Sequence, residues 1–448
     1  MRTLFKALWV IFLMVLTASM ATDPSSPNPY RFTIGSTVEA ASFSACGPLA
    51  TNPSDTIIEV TPGQAGRLAS IVYNAQPDTT ILLADGNYPT STLNFHNPRV
   101  TLRSESGNRE NVILDGQYST GEIIYIEATN VTIADLTVKR AYYHAIHVVG
   151  GGHHAMLYNL HIIDAKEQFV KVNPSGGDYT DDGTLACSEL ELTDNGRSYI
   201  EANPTPGFLC YTGGLDAHQS RDWTVRDNTI ENIYCTDGGL AEHAIHFWNS
   251  SRNPMVERNT ILNNARGIGF GLGTNGGQRI YPDNPLAGTG LSADEVQHIG
   301  GVIRNNFIFA NTFEFDTGIG LEQAWGVDIY HNTVYSTQGG LGIDIRFGNS
   351  NPVVKNNLTN PNISLRNGGS MAQSAANMSA SPGLFLDLPN GDLHLISTAI
   401  QAINKGAGLG GEVPTDIDGD YRDAYPDAGA DEYTSHRPAD PVNLRIKR

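Results

Sequence analysis

The sequence contains few lysines and carries a large excess of acidic residues. Of its 448 residues only seven are lysines, and the formal net charge is −19. Because the phosphate backbone of nucleic acids is itself negative, we expect no nucleic acid to bind this chain. An anionic polymer would need a local basic patch that acts against the unfavourable overall field.

Long apolar runs are also scarce, and the one that stands out lies at the amino terminus. The run spans residues 7–16, follows the basic residues Arg2 and Lys6, and precedes small residues near position 20. This pattern predicts a cleavable signal peptide over residues 1–21. The run is too short for a membrane-spanning helix, so no membrane insertion is expected. No cysteine follows it directly, so we expect a secreted or periplasmic protein without a lipid anchor.

Cysteine is rare as well, with four copies in the whole chain. Four cysteines fit an exported protein with one or two disulfides, and their scattered spacing matches no zinc motif. The residues are Cys46, Cys187, Cys210 and Cys235. We expect Cys210 to pair with either Cys187 or Cys235, and the sequence leaves the connectivity open.

What the sequence has instead is a repeat that begins near residue 130. Each copy reads as an apolar residue, two polar residues, a ladder residue, any residue and another apolar residue. The copies alternate with period two and are rich in Val, Ile, Thr and Asn, which indicates strands rather than helices. Consecutive ladder positions lie 24 to 47 residues apart, as in a solenoid. These positions are Leu136, Leu160, Leu190, Asn228, Asn259, Asn306, Asn332 and Asn357.

The last five ladder positions, from Asn228 to Asn357, all carry asparagine. Asparagine tolerates the left-handed backbone of a sharp bend, and its amide both donates and accepts hydrogen bonds along a stack. The pattern resembles the asparagine ladder of the pectate-lyase-like superfamily over roughly residues 55 to 400. The resemblance implies an all-β chain folded as a single-stranded right-handed parallel β-helix of about eight coils. Lyases, hydrolases, epimerases and adhesins share this fold, so it does not fix the function.

A solenoid must cover both ends of its core to stay soluble. We therefore expect four segments: a signal peptide (1–21), a lead-in (22–62), the β-helix (63–400) and a capping segment with tail (401–448). A short amphipathic helix is predicted to begin near Gly63. The acids between Asp416 and Glu432 could hold Ca²⁺, but a turn that folds back on the last coil is the simpler interpretation. No other cofactor is predicted, and a monomer is expected.

The resemblance implies three strands per coil, with the ladder turn between the second and the third. The first strands read apolar, variable, apolar, so their outward residues should stack into columns about 4.8 Å apart per rung. The first predicted column contains Tyr125, His147, Phe169 or a neighbour, Asp216, His246, Gly269, Gly320 and Asp344. The second contains Glu127, Val149, Lys171, His218, Trp248, Gly271, Glu322 and Arg346. The glycines predict a trough, walled by insertions at 174–212, 235–243 and 273–300.

One cluster on this face has the composition of a catalytic site. It contains Lys171, Asp216, His218, His246 and Trp248, with Glu242 and His243 at its edge. A carboxylate can orient an imidazole and hold it near neutral pKa, which suits a general base. In a polysaccharide lyase, Lys171 or His218 would remove the proton α to a uronate carboxylate. His246 or a cation would neutralise that carboxylate, and Trp248 would support a sugar ring.

A second cluster contains Glu322, Asp344 and Arg346. The two acids are expected roughly 7 to 8 Å apart, within the range for an inverting glycoside hydrolase. The simpler interpretation is an ion pair between neighbouring rungs. A non-catalytic glycan-binding surface is a third alternative. We favour the lyase, because Lys, His and Arg lie on the binding face of a chain otherwise poor in lysine. The substrate is then a polysaccharide, and no metal ligand is assigned on this face.

Overall fold

The chain folds as a right-handed parallel β-helix in the computed structural model, which describes residues 46–273 and 279–434. Each turn of the chain contributes one short strand to each of three parallel sheets. We call them the first, second and third sheets, in the order in which the chain visits them within a turn. Every strand pairs in parallel with the equivalent strand of the next turn, so residues far apart in sequence become neighbours.

The three sheets have ten, twelve and eleven strands. The strands of the first sheet are Leu93–Phe95, Ile124–Ile126, Ile146–Val148, Gln168–Val172, Gly213–His218, His243–Trp248, Arg266–Phe270, Thr317–Glu322, Leu341–Arg346 and Ile363–Arg366. Those of the second sheet are Thr56–Val60, Thr79–Leu83, Val100–Ser104, Thr132–Ala134, Met156–Tyr158, Thr184–Ala186, Thr224–Arg226, Met255–Glu257, Val302–Arg304, Asp328–Tyr330, Val353–Lys355 and Gln373–Ala375. Those of the third sheet are Gly86–Pro89, Val112–Asp115, Thr137–Lys139, His161–Ile163, Glu189–Glu191, Thr229–Glu231, Thr260–Leu262, Phe307–Ala310, Thr333–Ser336, Leu358–Thr359 and Met378–Ser379.

These strand numbers exceed the expectation of about eight coils. The additional turns lie at both ends. In the turn that contains Val100–Ser104 and Val112–Asp115 the connection between the second and third sheets is longer, so the repeat signature is absent there. At the other end, the last turn returns after only 20 residues, from Asn357 to Asn377. A search for the ladder signature with a minimum period of 24 residues misses it.

The asparagine ladder is present and fully buried. Asn228 Nδ2 donates to Asn259 Oδ1 at 2.9 Å, and the same bond links Asn259 to Asn306 at 3.0 Å. The series continues through Asn332 and Asn357. Buried amides that bond one another along the axis satisfy groups that would otherwise be costly to desolvate. The predicted asparagine ladder is therefore confirmed.

Two details of the ladder differ from expectation. The residue that occupies the ladder position between Leu160 and Asn228 is Ser188, whose N–H donates to Asn228 Oδ1 at 2.9 Å, and Leu190 lies within the following strand. The left-handed backbone belongs to the residue before each ladder position, for example Asp227 at φ 58° and Arg258 at φ 52°. The asparagine itself is selected for its side-chain bonds.

The amino-terminal end is closed by helix. A 3₁₀ turn, Pro62–Arg67, leads into α1, Leu68–Asn74, which buries Leu68 and Val72 against the open end of the core. Parallel pairing already begins at Thr56–Val60, within the range expected to be a lead-in. The structure therefore starts its coils a few residues earlier than the sequence suggests.

The carboxy-terminal end is closed by non-parallel structure. The strands Phe385–Asp387 and Asp392–Leu395 pair antiparallel, with the 3₁₀ turns Pro382–Leu384 and Leu388–Asn390 beside them. The acidic segment beyond them folds back on the last coils: Asp416 accepts the backbone N–H groups of Asp418, Asp420 and Glu432. The carboxylate oxygens of Asp416 therefore accept hydrogen bonds from backbone N–H groups, as expected in a turn.

The insertions lie on both sides of the first sheet. One side carries α2, Asp194–Ala202, and the segments around Cys210 and Cys235, which are joined by a disulfide. The other side carries residues 279–300, with the 3₁₀ turn Ala293–Glu295 and the small sheet Ser251–Arg252, His298–Ile299 and Ala324–Trp325. The range 174–212 is not a single insertion, because it contains strands of the second and third sheets.

Two disulfides cross-link the described residues. Cys210 pairs with Cys235, one of the two expected alternatives, and Cys46 pairs with Cys187. Both described α-helices are short, with seven and nine residues, so neither is long enough to cross a bilayer. The predicted signal peptide lies outside the described residues.

Candidate functional site

The parallel register of the first sheet builds a central column of polar side chains. Lys171 pairs with Asp216, Asp216 with His246, and His246 with Gly269. Two residues further along the same strands, His218 pairs with Trp248. The structure therefore places Lys171, Asp216, His218, His246 and Trp248 on three neighbouring rungs.

Lys171 occupies a different column from the one expected. It stands in the first column, directly beside Asp216, and the residue that aligns with His218 is Asn173. Phe169, the residue expected in the first column, is completely buried in the core. The reason is the start of the strand at Gln168, where the chain turns a large aromatic ring inward and gains the free energy of burying it.

Asp216 is the centre of this cluster and accepts contacts on both oxygens. Oδ2 accepts a hydrogen bond from Lys171 Nζ and lies 3.0 Å from His218 Nε2. Oδ1 accepts from Trp248 Nε1 at 2.8 Å and faces His246 Nδ1 at 3.4 Å. The Lys171 and Asp216 residues are only 6% and 5% exposed, so this ion pair is largely removed from solvent.

The buried charges shift the titration of their neighbours. Burial alone would raise the pKa of Asp216, but Lys171 and the two histidines stabilise its carboxylate and hold the pKa well below the usual value. Burial lowers the pKa of His218, and Asp216 offsets this effect only in part. His218 is therefore a neutral imidazole around neutral pH.

The contacts of His218 fix where its proton lies. Asn173 Oδ1 can only accept, so it takes a hydrogen bond from His147 Nε2 at 3.2 Å. The amide Nδ2 of the same residue then donates to His218 Nδ1 at 3.3 Å. His218 is consequently assigned its proton on Nε2, where it and Lys171 Nζ, 3.1 Å away, both donate to Asp216 Oδ2. The lone pair of Nδ1 is held only by the long contact to Asn173.

His246 and Trp248 lie at different depths. His246 is 1% exposed, and its Nε2 donates to the backbone oxygen of Gly271 at 3.1 Å, so a ligand could not reach this ring. Trp248 is partly exposed, and its indole packs edge-on against His218 with ring centroids 4.4 Å apart. Of the two, only Trp248 presents a surface on which a sugar ring could rest.

Glu242 and His243 are placed beside the cluster but are otherwise engaged. Glu242 forms an ion pair with Arg266 at 3.3 Å, and the imidazole of His243 lies over Gly269. The imidazole of His243 occupies the space in which a side chain at position 269 would lie. Gly271 is approached by the backbone oxygen of Glu322 and has a φ of 76°. The predicted trough beneath these glycines is therefore not an open one.

The second cluster is a pair of ion pairs. Glu322 bonds to Arg346 on the neighbouring rung, and Gly273 N donates to Glu322 Oε2 at 2.7 Å. Asp344, which is 3% exposed, bonds to Arg366 through both oxygens. Arg366 was not anticipated, because its strand Ile363–Arg366 was not recognised in the sequence. Each of the two acids already has an arginine partner. The cluster therefore agrees with the simpler interpretation, ion pairs between neighbouring rungs.

Sequence reasoning also missed Asn173, which joins His147 to His218. A signal was available, since Asn173 follows Lys171 at the same spacing at which His218 follows Asp216. Two surface depressions lie elsewhere: one of about 500 Å³ over the second sheet near Met156, and one of about 350 Å³ near Phe313. Neither contains a residue of the cluster.

Comparison with known proteins establishes the fold. No family model and no curated protein matches the chain. Among solved structures it is similar to pectate lyase Pel9A, with a TM-score of 0.52 and 16% identity over 85% of this chain and 97% of that one. It is also similar to an alginate lyase from Paenibacillus sp. str. FPU-7, with a TM-score of 0.52 and 19% identity over 71% of this chain and 99% of that one.

Both of these structures are right-handed parallel β-helices. The resemblance to the pectate-lyase-like superfamily that the asparagine ladder indicated is thus confirmed at the level of the fold.

Proposed function

We propose that the protein is a secreted polysaccharide lyase that cleaves a uronate-containing chain by β-elimination across the first sheet. The observation that carries the proposal is the contact of Asp216 with both Lys171 and His218 on adjacent rungs. A buried carboxylate that orients a neutral imidazole is the arrangement a general base requires. The two structural relatives described above are lyases of pectate and alginate, which agrees with this reaction class.

His218 is the base in this proposal. Its Nε2–H is held by Asp216, and its Nδ1 takes the proton from the carbon α to the uronate carboxylate once the substrate displaces the Asn173 amide. The electron pair of that C–H bond forms a double bond to the neighbouring ring carbon, whose bond to the glycosidic oxygen breaks. The leaving oxygen takes up a proton, which the imidazolium of His218 can return.

The remaining residues position and support this base. Lys171, whose Nζ lies 3.1 Å from His218 Nε2, supplies the positive charge nearest to the reacting carboxylate. His246 is too deeply buried to touch substrate, so we assign it a positioning role beneath Asp216. Trp248 supports a sugar ring, and Glu242 and His243 border the subsite. Exposed Phe208, stacked on Tyr211 with centroids 4.5 Å apart, offers a further apolar surface on the wall.

An inverting hydrolase that uses Glu322 and Asp344 is the second candidate. Inversion needs one carboxyl group that donates a proton and one that activates water. Both acids are bonded to arginines, so neither is free for these tasks in the structure. Arg346 or Arg366 would bind an anionic substrate chain only after releasing its carboxylate partner. The lyase is therefore the better supported reaction.

Secretion is part of the same proposal. The two disulfides suit an oxidising compartment, and the expected signal peptide would direct the chain there. A polymer too large to enter a cell has to be cleaved outside the cytoplasm.

The test is to incubate the protein with alginate, pectate and glycosaminoglycans and to follow the ultraviolet absorbance of unsaturated uronate. We expect one of these polymers to give the signal, and His218→Ala to reduce the rate at least about 100-fold, the range of a lost general base. The matched control is His153→Asn, a turn histidine away from the first sheet, which should keep the wild-type rate.

New reducing ends without the ultraviolet signal would identify a hydrolase and overturn the proposal. Binding without either product would identify a glycan-binding surface instead. Full activity of His218→Ala would remove His218 from the reaction.

A further inference from the structure

A second group of polar side chains lies on the first sheet, towards its amino-terminal end. Glu122, His144 and His147 each offer one possible ligand atom, and these atoms lie within 4.8 Å of one another. The Nδ1 of His147 is buried, lacks a hydrogen-bond partner and lies 3.4 Å from Glu122 Oε1. A fourth group, Glu167 Oε2, lies 3.9 Å from His144 Nε2.

The outer nitrogen of each imidazole is already fixed by a carbonyl oxygen. His144 Nδ1 donates to the backbone oxygen of Gln168 at 3.3 Å, and His147 Nε2 donates to the side-chain oxygen of Asn173 at 3.2 Å. These acceptors favour protons on the outer nitrogens, and in that tautomer the inner nitrogens carry lone pairs directed at the carboxylates. Metal-ligating histidines are held in this way, because the outer hydrogen bond sets both tautomer and ring orientation.

The inward side of the group is therefore all electron-rich. Two imidazole nitrogens and two carboxylates converge there. The neighbouring lysines are engaged elsewhere: Lys171 bonds to Asp216, and Lys166 lies over the ring of Tyr142 at 4.4 Å. Such a group repels itself unless a cation lies within it.

Two comparable groups elsewhere in the described chain already contain a cation of the protein. Arg266 lies 3.3 Å from Glu242 in the group formed with His243 and His246. Arg109 bonds to Glu189 at 2.7 Å in the group formed with Glu110 and His161. Among the described residues no arginine or lysine forms an ion pair with Glu122 or Glu167, and the charges of Lys166 and Lys171 act on Glu167 without such a contact.

We propose that Glu122, His144 and His147 bind one divalent transition metal ion of the Zn²⁺ class, with Glu167 as the fourth ligand. Imidazole and carboxylate ligands suit this class. Ligand atoms in a tetrahedral site lie about 2.0 to 2.2 Å from the ion and so roughly 3.4 Å apart, which requires these side chains, whose ligand atoms lie within 4.8 Å of one another, to close by up to about 1.4 Å. Thr205, which donates to Glu167 Oε1 at 3.0 Å, orients the fourth ligand.

The experiment is a titration of the chelator-treated full-length protein with Co²⁺, followed by its visible absorption, and then competition with Zn²⁺. We expect one Co²⁺ per chain with the intense bands of a tetrahedral site, displaced by Zn²⁺. Glu122→Gln and His147→Gln should each weaken the apparent affinity at least about tenfold. Glu110→Gln, in the group that holds Arg109, is the matched control and should bind Co²⁺ as the wild type does.

Thermal unfolding provides a second readout. Zn²⁺ should raise the Tm of the wild type and of Glu110→Gln, and this rise should shrink in His147→Gln. Absence of stoichiometric binding, or equal affinity in wild type and His147→Gln, would overturn the proposal. Neither readout uses a polysaccharide, so the outcome is independent of the lyase reaction.

Discussion

At the scale of single residues, Asp216 contributes both to the stability of the fold and to the proposed reaction. It holds the ammonium of Lys171, the imidazole of His218 and the indole of Trp248 at once. A buried charge is tolerated only when its partners compensate for lost hydration. The cluster is therefore a unit, in which removal of one charge leaves another without its partner.

This unit predicts strong coupling between Lys171 and Asp216. Asp216→Asn should lower the free energy of unfolding by about 3 to 5 kcal/mol, because it leaves the buried ammonium unpaired. The double variant Lys171→Met/Asp216→Asn should be less destabilised than the sum of the single variants by about 1 to 3 kcal/mol. Urea unfolding of the four proteins measures the coupling. Lys355→Met, on the second sheet, is the control, and strictly additive effects would show that the pair is not coupled.

The sequence located most of these residues but not their contacts. The alternation of strand residues identified Asp216, His218, His246 and Trp248 as neighbours on one face, because strand periodicity is a local property. The prediction placed Lys171 in the wrong column, because the register of its strand depends on how the chain bends at Gln168. Arg366, the partner of Asp344, lies on a strand without a recognisable repeat and so escaped prediction.

At the scale of elements, the repeat turn was predictable and the caps were less so. The ladder asparagines recur because each must bond the one before it, so their signature is visible without a structure. The terminal turns bury their faces against irregular segments, and no periodic constraint marks them. The carboxy-terminal cap instead depends on individual polar contacts, above all those of His394, which bridges Asp392 at 2.5 Å and Asp418 at 3.0 Å.

His394 gives the cap a predictable pH dependence. Burial would lower its pKa, but the two carboxylates outweigh burial and raise the pKa to about 10. Because the folded pKa lies above the unfolded value of about 6.5, this contribution to stability is complete below pH 6.5 and is lost as the pH rises through about 10. The protection factors of the cap amides, which correct the hydrogen-exchange rates for their intrinsic base catalysis, should fall over this range.

The matched variant for this test is His394→Gln, in which the protection factors should already be lower at pH 6 and should lose most of their dependence on pH. His153→Gln, outside the cap, should behave as the wild type. A pH dependence that persists unchanged in His394→Gln would assign it to other groups.

At the scale of the whole molecule, the solenoid brings together polar side chains that lie far apart in sequence. Lys171, Asp216 and His246 are separated by 45 and 30 residues in sequence, yet the parallel register makes them adjacent. The same register aligns the metal-binding group that we propose at His144 with the cluster at His218, through His147 and Asn173. A long face of this kind can contact several sugars of one polymer at the same time.

The most direct measurement of this account is a crystal structure of the His218→Ala variant with a uronate oligosaccharide from a polymer that the wild type cleaves. The account predicts a sugar ring resting on Trp248, with its α carbon facing the place vacated by His218 and its carboxylate towards Lys171. An oligosaccharide bound across the acids at Glu322 and Asp344, or on the second or third sheet, would contradict it.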